Sequence, residues 1–270
     1  MELKDKIIVV TGAASGIGEG LVKRFAEEAP KAVICADIDE AGAARVAEAC
    51  GGVAMVADIA TEAGVKSLID RVEAEVGPID LMCNNAGILL LGGPETPDDD
   101  WDRIIDINVK SHIWSARHLV PKMIERGGGY FLNTASAAGL LSQVGSMPYA
   151  VTKHAAVAVG EWIAFTYGDQ GIKVTLLCPQ AVRSKMTEGH EEGVASMDGM
   201  LEPSDAAEAC VEAIREETFL ALPHDKVLGY AQAKTANYDR WIGGIVGQVH
   251  GSHAGGLQRV WAAAPVAVHD

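Results

Sequence analysis

Short apolar runs and longer amphipathic stretches alternate along most of this chain. Runs of strand length fall at 6–11, 32–37, 53–58, 79–84, 129–135, 172–178 and 218–222. Several of them, such as Lys6-Ile7-Ile8-Val9-Val10, are rich in β-branched residues and too short for a typical helix. The stretches between them, for instance 61–76 and 204–216, read as helices. Strand–helix alternation predicts an α/β protein: a Rossmann-type doubly wound parallel sheet of about seven strands with helices on both faces. Right-handed crossovers then bring every strand's C-terminal end to one edge, where open sheets bind ligands. Beyond the last strand, Tyr230, Tyr238 and Trp241 fall on a helical stretch, so the domain carries a helical C-terminal extension. Gly243-Gly244-Ile245-Val246-Gly247 and the Gly-, Ala- and His-rich remainder show no sustained period, and no structure is assigned to 243–270. No repeat or linker divides the chain, and residues 1–270 read as a single domain.

The first strand ends in Thr11-Gly12-Ala13-Ala14-Ser15-Gly16-Ile17-Gly18, and a helical pattern follows, with Leu21, Val22 and Phe25 apolar and Glu19, Lys23, Glu27 and Glu28 polar. Strand, glycine turn and helix are the setting of a dinucleotide fingerprint. Gly12 allows the tight turn, and Gly16 and Gly18 admit a pyrophosphate to the positive end of the helix. No Gly-Lys-Ser/Thr ending follows, which argues against a nucleoside-triphosphate loop. The second strand ends at Asp37, about 20 residues on, where a carboxylate accepts hydrogen bonds from adenosine ribose hydroxyls. That carboxylate repels a 2′-phosphate, and Ser15 and Ile38 stand where a welcoming cation would be. The expected cofactor is NAD rather than NADP.

A second constellation carries proton chemistry. Tyr149-Ala-Val-Thr-Lys153 spaces a phenol and an ammonium four residues apart, on one face of a helix. A tyrosine, whose pKa is ordinarily about 10, is lowered by a nearby fixed cation and becomes a usable acid or base. Ser136 supplies a hydroxyl to hold the oxygen that gains or loses the proton.

With these motifs in order, the chain resembles the short-chain dehydrogenases/reductases, in their compact single-domain branch, from about residue 4 to about residue 222. The resemblance rests on residues 11–18, Asp58 closing the third strand, Asn84-Asn85-Ala86-Gly87 closing the fourth, Asn108, Ser136, Tyr149-x-x-x-Lys153 and Pro179 after the sixth. It implies that Tyr149 is the general acid/base and that Ser136 positions the substrate oxygen. Lys153 would bind the nicotinamide ribose, and Asn108 would hold a water in a proton relay. Asp58 and Ile59 would border the adenine; Asn85, Ala86 and Gly87 would line the adenosine and pyrophosphate side; Pro179, Val182 and Ser184 would lie by the nicotinamide, Ser184 standing where the family often has Thr. Gln180 departs from the family's usual Gly, and the C-terminus departs from its glycine-rich close.

Composition narrows the remainder. A net charge of −15 argues against nucleic acid as a partner. No apolar run spans a bilayer, no signal segment precedes the first strand, and the five scattered cysteines lack Cys-x-x-Cys spacing, so a reducing cytoplasm is expected. The eight histidines show no metal-ligand spacing, and no metal is expected. Apolar segments at 88–91, at Leu140, Leu141 and Val144, and at Val182, Met186, Met197 and Met200 line the expected substrate side. They point to a hydrophobic secondary alcohol or ketone, with residues 185–200 as a lid. Residues 155–165 are apolar nearly all round, which suggests a homodimer or homotetramer. The competing reading is an NAD-sensing binding protein on the same scaffold, which has no need of Ser136, Tyr149, Lys153 and Asn108 together.

Overall fold

The computed structural model describes residues 1–189 and 194–250. Its elements run β1 (Ile7–Thr11), α1 (Gly16–Ala26), β2 (Ala32–Asp37), α2 (Glu40–Cys50), β3 (Val53–Val56), α3 (Glu62–Glu75), β4 (Leu81–Asn84) and α4 (Asp98–Ile105). A π-helical turn, Asp106–Lys110, joins α4 to α5 (Ser111–Glu125). Then follow β5 (Gly129–Thr134), α6 (Ala138–Leu141), α7 (Met147–Tyr167), β6 (Ile172–Leu177), α8 (Pro203–Glu216), β7 (Leu220–Ala221), α9 (Lys226–Ala236) and α10 (Tyr238–His250). The seven strands form one parallel sheet in the order β3-β2-β1-β4-β5-β6-β7. The order reverses at β1, and that switch point opens the crevice at the C-terminal edge.

The two-residue period of a strand divides β1 between two cores. Ile7 and Val9 pack with Leu68 of α3, Leu119 of α5 and Ile163 of α7. Ile8 and Val10 face the other way, against Leu21 and Phe25 of α1, Val46 of α2 and Ile214 of α8. Both faces of the sheet are therefore dry at its centre, which explains why β1 reads as a continuous apolar run, whereas the edge strand β3 buries only Met55. Local signals set the helix starts: Asp39 caps α2 at Gly42 N, Thr61 caps α3 at Gly64 N, and Ser146 caps α7 at Tyr149 N.

The C-terminus differs from the sequence reading. Asn237, with φ −158° and ψ 96°, breaks the helical stretch after α9. The glycine-rich segment 243–247, given no structure above, is helical within α10. Residues 251–270 of the tail and 190–193 of the expected lid lie outside the described residues. No helix among the described residues is long and apolar enough to cross a membrane.

Phe25 is fully buried between α1 and the sheet. Phe25→Ala is expected to destabilise the chain by about 3–5 kcal/mol, lowering the urea midpoint without cofactor. An unchanged midpoint would contradict this packing.

Candidate active site

The strand ends surround one cleft of about 3020 Å³. That exceeds a drug-sized pocket, typically about 300–1,000 Å³, and leaves room for a dinucleotide beside a substrate. Every residue named above as a cofactor contact lines it: Gly12, Ser15, Gly16, Ile17, Gly18, Asp37, Asp58, Ile59, Asn85, Ala86, Gly87, Tyr149, Lys153, Pro179, Val182 and Ser184. Ser136 lines it too; Asn108 stands behind it, fully buried.

The glycine turn is built for close approach. A Cβ on Gly18 would fall 1.9 Å from Gly12 O, so α1 reaches the turn only without a side chain there. Gly16 has φ +54°, in the left-handed region, and a Cβ on it would meet Ser184 Cβ at 3.0 Å. The side chain of Ser15, at the N-cap of α1, makes no capping bond. The helix thus presents its N-terminal N–H groups and positive dipole end at the cleft, a donor set that fits a pyrophosphate. Thr11 braces this edge. Its Oγ1 donates to Cys83 O at 3.2 Å and accepts from Asn85 N and Ala86 N at 3.0 and 3.1 Å.

Where β2 ends, Asp37 Oδ2 accepts from Ala14 N at 2.9 Å and Oδ1 from Asp39 N at 3.0 Å, which fixes the carboxylate at the cleft wall. Sequence reading found no cation here, but the fold brings one in. Arg45 of α2 donates to Ala14 O at 2.9 Å, while its guanidinium also binds both Glu19 oxygens at 3.0 and 2.8 Å. The Arg45 bond holds the Glu19 carboxyl down at about 2. The cation nearest this corner is therefore already neutralised.

At the other end, Ser136 Oγ accepts from Ala138 N at 3.0 Å and lies 3.3 Å from Pro179 O, and both pin it after β5. Tyr149 sits in the first turn of α7. Lys153, one turn on, is 3% exposed; its Nζ donates to Thr134 O at 2.9 Å and lies 5.5 Å from the Tyr149 ring centroid. Burial lowers the Lys153 pKa to about 8. Burial raises Tyr149, and a hydrogen bond with Ser136 pulls the other way without cancelling it. The Tyr149 side chain is half-buried where it lines the cleft. This corrects the expectation that Lys153 lowers the phenol: in the protein alone, burial raises it.

The π turn places Asn108. Its Oδ1 accepts from Ile88 N at 2.9 Å, and its Nδ2 donates to Ile88 O at 2.9 Å and to Thr152 Oγ1 at 3.2 Å. A Cβ on Gly87 would fall 3.2 Å from Asn108 Oδ1 and 3.4 Å from Lys153 Nζ. Only a glycine leaves the gap between those two groups open.

Thr187, Lys234 and Ile242 also line the cleft and escaped the sequence reading. Gln180 lines the cleft, and its Nε2 donates to Asp198 Oδ2 at 3.1 Å. Asp198 also accepts from Lys226 Nζ at 2.7 Å and Tyr230 Oη at 3.2 Å, tying the segment before α8 to α9. Thr187 Oγ1 accepts from Ser184 N at 3.0 Å and lies 3.4 Å from the Ser184 hydroxyl. Lys234 of α9 and Trp241, Ile242 and Ile245 of α10 wall the substrate side. The helical spacing of Tyr238, Trp241, Ile242, Ile245 and Val246 was the available signal, and the interleaved glycines obscured it.

Comparison with known proteins agrees with this geometry. The chain is 33% identical over 235 residues to epidermal retinol dehydrogenase 2 of Homo sapiens, covering 81% of this chain and 74% of that one. It is 35% identical over 205 residues to 3beta-hydroxysteroid dehydrogenase 2 of Eggerthella lenta, covering 72% and 78%. Among solved structures, a short chain dehydrogenase/reductase from Burkholderia phymatum in complex with NAD superimposes with a TM-score of 0.82 at 26% identity, covering 89% of this chain and 96% of that one. The family described as short chain dehydrogenase matches residues 6–195. Since that match runs from β1 past β6 and takes in both the glycine turn and the Tyr149–Lys153 helix, the chain belongs to the short chain dehydrogenase family of oxidoreductases.

Proposed function

We propose that this protein is an NAD-dependent oxidoreductase of hydrophobic secondary alcohols and their ketones. The observation that carries the reading is the gathering of Ser136, Tyr149 and Lys153 beside a glycine turn fitted to a pyrophosphate, all on one cleft. NAD, when bound, supplies the hydride acceptor. Gly12 to Gly18 would hold its pyrophosphate, Asp37 its adenosine ribose, Asp58 and Ile59 its adenine, and Lys153 its nicotinamide ribose; Asn85, Ala86 and Gly87 would line the adenosine and pyrophosphate side, and Pro179, Val182 and Ser184 the nicotinamide.

The chain's own residues do the proton work. Ser136, fixed by Ala138 N, positions the substrate oxygen. Tyr149 takes the hydroxyl proton in oxidation and returns it in reduction. Lys153 holds a buried positive charge beside the phenol and favours its ionised form at the moment of transfer. Asn108, locked to Ile88, faces the Gly87 gap from the side opposite Lys153 and continues the proton path from the ammonium. NAD is favoured over NADP because Asp37 repels a 2′-phosphate and Arg45 is already engaged by Glu19. The apolar wall favours a lipophilic substrate, and retinol and hydroxysteroid in the names of the relatives are of that character.

The reading includes self-association. Val151, Trp162 and Phe165 make an apolar stripe on the outer face of α7, with Phe165 82% exposed, and Ile113 of α5 is exposed as well. A second copy of the chain is the proposed cover.

Tyr149→Phe is expected to lower kcat about a hundred- to ten-thousandfold while NAD still binds by calorimetry; normal turnover would end the mechanism. Asp37→Ala is expected to weaken NAD roughly ten- to a hundredfold and narrow its advantage over NADP in parallel kinetic assays. An unchanged preference would reduce Asp37 to a turn residue. Light scattering should report a homo-oligomer for the native chain and a smaller species for Trp162→Glu/Phe165→Glu, whereas identical masses would remove α7 from any interface.

A further inference from the structure

Lys234 is a half-buried ammonium held by neutral groups. Its Nζ donates to Leu140 O at 2.7 Å, faces His154 Nε2 at 3.5 Å and lies 5.8 Å from the Tyr238 ring centroid. His154 Nδ1 is 2.9 Å from Ala150 O, which can only accept; Nδ1 therefore carries the proton and Nε2 turns a lone pair toward the ammonium. Burial pushes the Lys234 pKa down, with no carboxylate offsetting it. Taking a cation out of water without a counter-charge is unfavourable. This chain has 37 acidic residues, and none of them stands among those partners.

The location makes that cation useful. Lys234 lines the cleft, and its anchor Leu140 lies in α6, four residues after Ser136. Arg240 of α10 also lines the cleft and has no carboxylate partner among the described residues. The wall shared with these cations is apolar, with Leu141, Val144, Trp241 and Ile245. The pyrophosphate cradle lies elsewhere, since the neighbours of its glycines are Ala86 and Ser184.

We propose that Lys234, with Arg240 outside it, receives a carboxylate of the substrate. The preferred substrate is then an apolar hydroxy or keto acid whose acid group lies several carbons from the reacting carbon. The assignment rests on the oxidoreductase reading above for which end of the substrate reacts. A carboxylate would complete the Lys234 cage with a charge-assisted hydrogen bond, while Arg240 raises the local concentration of anions at the entrance.

Calorimetry on the full chain loaded with NADH tests this without turnover, using cyclic ketones matched in all but a carboxylate or its methyl ester. The native protein is expected to bind the carboxylate roughly ten- to a hundredfold more tightly than the ester. Lys234→Arg should keep most of that ratio, and Lys234→Met should bring it close to unity. Equal binding of the pair by the native protein, or a ratio that survives Lys234→Met, would overturn the proposal. So would a loss of NADH affinity in Lys234→Met as large as the loss of carboxylate affinity, because the ammonium would then serve the cofactor. An intact binding ratio without turnover of either ketone would uphold the carboxylate site and count against the oxidoreductase reading instead.

Discussion

Lys153 keeps an ammonium almost wholly out of water with one backbone carbonyl as its hydrogen-bond partner, and the rest of the site is arranged around that unfavourable burial. An isolated buried charge is costly, so the groups packed round it must be fixed in advance. Thr134 O is fixed because β5 pairs with strands on both sides. Tyr149 is fixed because Ser146 caps the same helix that carries Lys153. Gly87 follows β4 by three residues, and its missing Cβ leaves space between the ammonium and Asn108. Each of these depends on the parallel sheet delivering its strand ends to one edge.

Burial therefore works in two directions at once. It pushes the lysine down and the tyrosine up, away from the ionised pair that proton transfer needs. A site in this state is poised against its own chemistry until ligands enter. Under the proposed reading, ribose hydroxyls of a bound NAD would offer acceptors to Lys153, and its positively charged nicotinamide would favour a phenolate. The glycine-turn end shows the same economy with a different solution: Arg45 is satisfied by Glu19, which under the proposed reading would leave the Asp37 carboxylate to discriminate between the cofactors. Lys234 is a third case, a cation whose neutral partners leave it one interaction short.

Much of this was legible in the sequence because it is local. Strand length, the glycine turn, Asp37 at a strand end and the Tyr149–Lys153 spacing each depend on residues a few positions apart, and a parallel sheet follows from the strand–helix alternation. What escaped was set at long range. Arg45 reaches Ala14 across 31 residues, and Lys234 reaches Leu140 across 94. Spacing put Tyr149 and Lys153 on one face, yet it did not reveal that burial raises the phenol. Gly243, Gly244 and Gly247 masked α10, whose helix adds apolar residues to the wall of the cleft.

The most direct measurement is an ultraviolet difference titration of the Tyr149 phenol, with Tyr149→Phe as the blank, run with and without NAD. The account predicts ionisation above the ordinary tyrosine value of about 10 in the free protein and a clear fall when NAD binds. Ionisation at or below that value without NAD, or a midpoint that NAD leaves in place, would contradict it.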